Sequence, residues 1–324
     1  MRAAVCREYG PPKVVSVEDV AAPDVTAGQV RVNVHAAAVN FPDVLLVADR
    51  YQLRAPLPFV PGSEFAGVVD RAGDGVRSMA PGERVFGTTF VGAFAEQVTV
   101  AAESLARIPE GVDDAAAAAF GVAHRTAYHV LRSVAAVQPG ENVVVLGAGG
   151  GVGLATVQLA SVLGATVTAV ASSPAKLAAA AANGASHLVD HRATSDVRAA
   201  LKAVLPDGAD VVVDPVGGDL AEPALRTLRY GGRFVTVGYA SGTIPKIPLN
   251  LVLLKGARVL GFQFATFAHH EPDAMRRNEA DVLELFRAGT ARPHIGARFD
   301  LDDVVAALEH VAGGGAVGKV VLMT

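Results

Sequence analysis

The stretch Val143-Val144-Val145-Leu146-Gly147-Ala148-Gly149-Gly150-Gly151-Val152-Gly153-Leu154 decides the fold. Its aliphatic run lacks polar alternation, as expected of a strand buried on both faces, and the glycines after it lead into a helix. A phosphate needs backbone N–H groups at close range and a helix N-terminus aimed at it, and side chains here would hold a pyrophosphate away. The strict Gly-x-Gly-x-x-Gly spacing has no unique register, because Ala148, Gly150 and Gly153 fit the dinucleotide pattern with alanine first. A tight strand-to-helix turn without a ligand is the alternative. The strand before, the helix after and the alternation downstream favour a dinucleotide site.

An NAD site of this kind places Asp or Glu about 20 residues past the loop, where the carboxylate accepts from the ribose 2′-hydroxyl. Here the second strand ends in Ala171-Ser172-Ser173-Pro174-Ala175-Lys176. A carboxylate would repel a 2′-phosphate, whereas the hydroxyls of Ser172 and Ser173 and the ammonium of Lys176 can donate to it, so NADPH is expected. A Lys176 contact of roughly 1.5–3 kcal/mol gives a preference over NADH of ~10- to 150-fold. A solvated helix position is the plain alternative for Lys176. His191 and Arg192, after the third strand, would extend the same cationic reach or form an ordinary surface turn.

The loop sits in 143–175, a stretch without a charged residue. Six glycines and scattered polar residues interrupt it and make it a poor membrane span. Further strand-like runs at 142–146, 166–171, 187–189, 210–213, 233–237 and 257–261 alternate with helix-like segments. That rhythm predicts a Rossmann-type, doubly wound parallel sheet. Before it, short alternating segments such as 14–17, 30–34 and 96–100 lie between Gly/Pro turns, as in a partly open β-barrel. Asp113-Asp114 should cap an alanine-rich helix, followed by a helix over 121–134. Helices are expected at 273–288 and 301–311, then a closing strand at 319–322.

At ~150 residues per domain, 324 residues suggest about two domains. With 51% hydrophobic and 19% charged residues, the chain has the composition of a folded core. The 28 basic and 32 acidic residues sum to −4, so no global cationic field draws in nucleic acid or anionic lipid, and a small-molecule partner is expected. The single cysteine, Cys6, forbids an intrachain disulfide and any cysteine-based zinc cluster. His124 and His129 lie five apart, off one helical face, and the adjacent His269 and His270 point in different directions, so neither pair suggests a ligand set. No apolar h-region follows Met1, and a reducing cytoplasm is the expected location.

With these residues in view, the chain resembles the zinc-independent quinone oxidoreductases of the medium-chain dehydrogenase/reductase superfamily. The resemblance runs through Asn40-Phe41-Pro42-Asp43, Pro61-Gly62-Ser63-Glu64-Phe65-Ala66-Gly67-Val68-Val69, Gly92-Ala93-Phe94-Ala95-Glu96, Thr126-Ala127-Tyr128, the glycine loop, Asp214-Pro215-Val216-Gly217-Gly218 and Pro248-Leu249-Asn250-Leu251. It implies a GroES-like, partly open barrel as substrate domain from 1–120 and 263–324. A Rossmann NADPH domain would occupy 121–262, with NADPH in the cleft. Zinc-dependent cousins carry Cys and Gly-His-Glu ligands, whereas Ser63 stands here where that His would be.

Position by position, the resemblance makes Asn40 the polar residue near nicotinamide and substrate carbonyl, and Thr126 the hydroxyl on the nicotinamide side. Gly150, Gly151, Val152 and Gly153 become the pyrophosphate cradle, and Ser173 and Lys176 the 2′-phosphate contacts. Val216 and Gly238 would line the ribose and nicotinamide, and Phe262 would supply a backbone contact to the carboxamide end. Two departures stand out. Leu45 replaces a tyrosine common in relatives, which leaves the substrate open, and His191 replaces another, which leaves the adenine-ribose contacts open.

A nicotinamide delivers a hydride, so an electrophilic carbon whose charge drains to an oxygen is the expected acceptor, a quinone or an α,β-unsaturated carbonyl. Asn40 and backbone N–H groups would stabilise the oxyanion, and Asp43 and Tyr51 are candidate proton donors, with Asp43 alternatively a helix cap. Arg50, Arg54 and Arg125 would meet a coenzyme A phosphate if the substrate were an enoyl or acryloyl thioester. A non-catalytic NADPH-binding sensor is the remaining alternative. The apolar last strand, 256–262, should be covered, and in the family it pairs across a two-fold axis, so a homodimer is expected.

Overall fold

The computed structural model describes all 324 residues, which divide into two compact units, Met1–Val122 with Pro293–Thr324, and Ala123–Arg292.

The first unit opens with β1 (Arg2–Cys6) paired antiparallel to β2 (Val15–Asp19). The long β3 (Gln29–Val39) leads through Asn40 into the short helix α1 (Phe41–Val47). Strands β4 (Glu64–Ala72), β5 (Arg84–Thr88), β6 (Gln97–Ala101) and β7 (Leu105–Arg107) follow, then α2 (Asp114–Phe120). The alanine run of α2 starts where expected, because Asp113 Oδ1 accepts from Ala116 N at 2.7 Å and satisfies an orphan donor of the first turn. Fully buried Phe65 and Phe94 anchor the core, each contributing about 1.5–3 kcal/mol by leaving water.

The second unit begins with α3 (Ala123–His129), which runs into a wide π turn over Val130–Val134. It then alternates: β8 (Asn142–Leu146), α4 (Gly151–Val162), β9 (Thr166–Ala171), α5 (Pro174–Ala182), β10 (His187–Asp190), α6 (Val197–Val204), β11 (Ala209–Asp214), α7 (Ala221–Arg226), β12 (Leu228–Thr236), α8 (Leu249–Lys255), β13 (Arg258–Gly261), α9 (Phe264–His270) and α10 (Pro272–Arg287). The six strands form one parallel sheet in the order β10-β9-β8-β11-β12-β13. This is the doubly wound dinucleotide-binding order, with the reversal beside β8, where the glycine loop leaves the sheet. Continuous burial of Val143–Leu146 and Val211–Val213 explains why these strands lack alternation.

The chain returns to the first unit as β14 (Ile295–Asp300), α11 (Val304–Ala312) and β15 (Lys319–Met323). Strand β15 runs antiparallel to β3 and completes a sheet of order β14-β15-β3-β4-β5-β7, with β6 also paired to β3. By its contacts the return falls at 293, not at the expected 263. The reason is packing on α3: Arg125 and His129 bond Glu279 of α10, and Asn278 donates to Ser133 Oγ at 2.8 Å. No helix is long and apolar enough to cross a membrane.

Candidate functional site

In the second unit the glycine loop has the shape its sequence requires. Gly150 is the N-cap of α4 with extended backbone, so the helix N-terminus begins within the loop. A Cβ on Gly153 would sit 2.1 Å from the Gly147 carbonyl oxygen, so only glycine lets α4 pack this close to the turn. A Cβ on Gly149 would meet the Lys176 side chain at 2.4 Å, which places the lysine's aliphatic stem across the loop. Val216 covers Gly147 from the other side. Its turn is pinned by Asp214 Oδ1, which accepts from Val216 N and Gly217 N at 2.8 Å each.

At the carboxyl end of β9, Ser173 caps α5, its Oγ accepting from Lys176 N at 3.4 Å. Lys176 Nζ reaches Ser172 Oγ at 3.3 Å. Burial, then the charge of Arg192, pulls the Lys176 ammonium below the ordinary lysine value. His191 is held below the usual histidine value by burial first and then by Arg192, with Lys176 adding to it against Asp190. Lys176, His191 and Arg192 thus repel one another's charge, and an anion among them would relieve that repulsion. This donor set suits a phosphate, and the glycines leave room for a pyrophosphate, so the residues fit a phosphorylated dinucleotide.

Thr126, on α3, is buried, and Gly238 follows β12. Phe262 follows β13, and its backbone N–H donates to Thr236 O at 3.1 Å. Its ring belongs to an aromatic group around His129, with centroids 6.0 Å from Phe262, 5.5 Å from Phe264 and 5.0 Å from Phe267. His129 is a fully buried core histidine. Asn278 Nδ2 donates to its Nδ1 at 3.0 Å, which fixes the tautomer that donates from Nε2 to Glu279 at 2.9 Å. Burial opposes ionisation of Glu279, but the His129 bond and the Arg125 charge overcome it and hold the carboxyl below the usual range.

The first unit carries a second polar cluster. Asn40 is the N-cap of α1, and its backbone N–H donates to Asp43 Oδ2 at 2.7 Å. Burial raises Asp43 to about 7, against the hydrogen bonds from Asn40 and Ser63 and the Lys319 charge, which favour the anion. Asp43 is therefore a helix cap built into a buried site. Tyr51 lies partly buried against the core of this unit, its phenol raised by burial and then by the charge of Asp43.

The cluster includes two residues to which the sequence assigns no role, Glu64 and Lys319. Lys319 Nζ donates to Glu64 Oε1 and to Asn40 Oδ1, both at 2.6 Å, and both charged side chains are buried. Lys319 had a signal, as the only charged residue of its strand, but its partners come from β4 and from the cap of α1. Arg54 pairs with Asp49 at 2.6 Å and Arg125 with Glu279 at 2.6 Å, two of the three arginines considered for a coenzyme A phosphate.

The protonation of Asp43 carries a testable consequence. Its pKa is higher folded than unfolded, so the stability it contributes is complete below about pH 4 and lost as pH rises through about 7. Wild type is expected to lose up to about 3 kcal/mol more than Asp43→Asn between pH 5 and pH 8, read from urea unfolding. Parallel pH profiles would refute the buried acid.

A nucleotide-type parallel sheet with a glycine loop, together with a separate β unit that holds a buried polar cluster, defines a two-domain, dinucleotide-binding dehydrogenase. Comparison with known proteins agrees. Residues 26–110 match the alcohol dehydrogenase GroES-like domain, and residues 151–280 the zinc-binding dehydrogenase domain. The chain is 39% identical to quinone oxidoreductase-like protein 2 of Bos taurus over 322 residues, 99% of this chain and 92% of that one. It is 32% identical to the quinone oxidoreductase of Homo sapiens over 326 residues, covering 100% of this chain and 98% of that one. Among solved structures, the quinone oxidoreductase from Thermus thermophilus, also determined in complex with NADPH, aligns over 100% of both chains at 32% identity with a TM-score of 0.86. The chain belongs to the quinone oxidoreductase family of the medium-chain dehydrogenase/reductase superfamily.

Proposed function

We propose that the protein is an NADPH-dependent oxidoreductase that reduces a quinone or an α,β-unsaturated carbonyl without zinc. The observation that carries the cofactor choice is the group Ser172, Lys176, His191 and Arg192 at the ends of β9 and β10, where an NAD site would present a carboxylate. NADPH supplies a hydride, and quinone reduction to a hydroquinone consumes that hydride and a proton. Gly150, Gly151, Val152 and Gly153 hold the pyrophosphate. Ser172, Ser173, Lys176 and His191 hold the 2′-phosphate, with Thr126, Val216, Gly238 and Phe262 towards the nicotinamide. Asn40 donates from its side-chain amide to the acceptor oxygen. Asp43 keeps the Asn40 backbone in place, Asp43 and Tyr51 are the candidate proton donors of this unit, and solvent is the other source.

Zinc independence is supported by the chemistry of the donors. Ser63 stands beside Glu64 in place of a ligand histidine, the lone thiol of Cys6 is buried, and Glu64 is already neutralised by Lys319. NADPH consumption across a panel of quinones, enones and enoyl-CoA esters, with and without chelator, tests all three parts. Turnover of free quinones or enones that survives chelation is the expected result. A strong preference for thioesters would transfer the assignment to acyl-CoA reduction. Binding of NADPH without any turnover would mark a sensor.

The expected homodimer uses β13, the edge of the parallel sheet, together with α8. Val259 is 47% exposed, and Leu253 and Leu254 of α8 are 80% and 73% exposed, an apolar surface that association would cover. Light scattering at micromolar concentration is expected to give the dimer mass, and the double change Leu253→Glu, Leu254→Glu the monomer mass. A monomeric wild type would exclude the dimer. Its lone buried thiol suits the reducing cytoplasm as its location.

A further inference from the structure

Lys319, Glu64 and Asn40 close a ring of three hydrogen bonds. The lysine ammonium donates to Asn40 Oδ1 and to Glu64 Oε1 at 2.6 Å each, and Asn40 Nδ2 donates to the same Glu64 Oε1 at 2.9 Å. Glu64 is held from behind, its Oε2 accepting from Val122 N at 2.7 Å. An ammonium has donors only, so the Asn40 amide cannot turn over without setting its NH2 against NH3⁺. Of the two Nδ2–H groups, one is committed to Glu64. The other has only Ser63 Oγ and Ala38 O, each at 3.3 Å.

We propose that Lys319 is a positioning residue for hydride transfer, fixing and polarising the Asn40 amide so that its loosely held N–H serves the oxygen of the acceptor. Resting on the function proposed above, this assigns electrophilic help at the acceptor oxygen to a lysine acting through an amide. The ammonium draws density from Oδ1, which makes the N–H a stronger donor, as in other cooperative hydrogen-bond chains. Glu64 balances the charge and keeps the ring closed, and because the ion pair is internally neutral it adds no net charge to the site.

The test compares Lys319→Met and Lys319→Arg with wild type in the full-length protein, with rates normalised to NADPH-binding sites counted by nicotinamide fluorescence. Lys319→Met is expected to lower kcat for a quinone by about 10- to 100-fold, by analogy with the loss of the outer partners that orient ligand side chains in metal sites. NADPH affinity should stay unchanged. In the cofactor-free protein, the side-chain amide resonance of Asn40, identified by its loss in Asn40→Asp, should shift. Lys319→Arg keeps a cation but offers its donors from a planar fork, so it should fold, with kcat reduced several-fold and the amide signal displaced. If Lys319→Met does not fold, the arginine variant carries the test. A folded variant that retains wild-type kcat, or one whose Asn40 signal does not move, overturns the role while leaving the oxidoreductase assignment standing. A wild type inert towards every electrophile overturns both.

Discussion

Replacing Glu64 by alanine is expected to unfold or severely weaken the first unit. The change removes the anion from a pair in which both side chains are buried. Lys319 would then hold a charge away from water with the neutral Asn40 oxygen as its one remaining hydrogen-bond partner, and the Val122 N–H would lose its acceptor. Removing one member of a buried ion pair typically costs about 3–5 kcal/mol, because the survivor is left uncompensated. Lys319→Met made on top of Glu64→Ala removes that charge and should recover part of the loss. Urea unfolding of the four proteins in this cycle gives the coupling directly, and additive single effects would show that the pair is not a stability unit. The cost falls on the first unit, whereas the Rossmann core around Val144, Leu146 and Phe234 keeps its packing.

The second large effect concerns the cofactor. Lys176→Ala is expected to weaken NADPH binding by ~10- to 150-fold while leaving NADH nearly untouched, corresponding to roughly 1.5–3 kcal/mol for a hydrogen bond to a charged group. Titration followed by nicotinamide fluorescence would measure both. The pH dependence has a definite sign. Burial and Arg192 lower the lysine pKa, so the ammonium loses its proton earlier than a free lysine would, and wild-type NADPH affinity should begin to fall below the ordinary lysine value as pH rises. The alanine variant should lack that high-pH limb. Equal losses for NADH and NADPH would move the effect from the 2′-phosphate to the glycine loop, which the lysine stem also touches.

The parallel sheet was legible because its signals are local: aliphatic runs for β8 and β11, glycines at the turn, and no acid after β9. The cap at Asp113 was legible for the same reason, since a capping carboxylate lies within three residues of its partner. What escaped was tertiary. Helix α10 shows an amphipathic pattern, but nothing in it says that Glu279 will meet Arg125 and His129 across about 150 positions, and so the resemblance puts the return to the first unit at 263 with no local signal against it. Spacing marked His129 as a poor ligand and could not show the aromatic and carboxylate shell that encloses it. In the first unit Asn40 and Asp43 were readable as a motif, whereas Lys319 became meaningful only once β15 paired with β3.

That pairing also sets a schedule. Glu64 and its cation are 255 positions apart, with the whole of the second unit encoded between them. At synthesis rates of about 5–20 residues per second, the carboxylate emerges roughly 10–50 s before the lysine that neutralises it. The nucleotide-binding unit therefore has its full sequence first, and the β unit waits for β14, α11 and β15 while carrying an unmatched acid. A ribosome stalled late in translation would hold a molecule with a complete glycine loop and an unfinished Asn40–Glu64–Lys319 cluster.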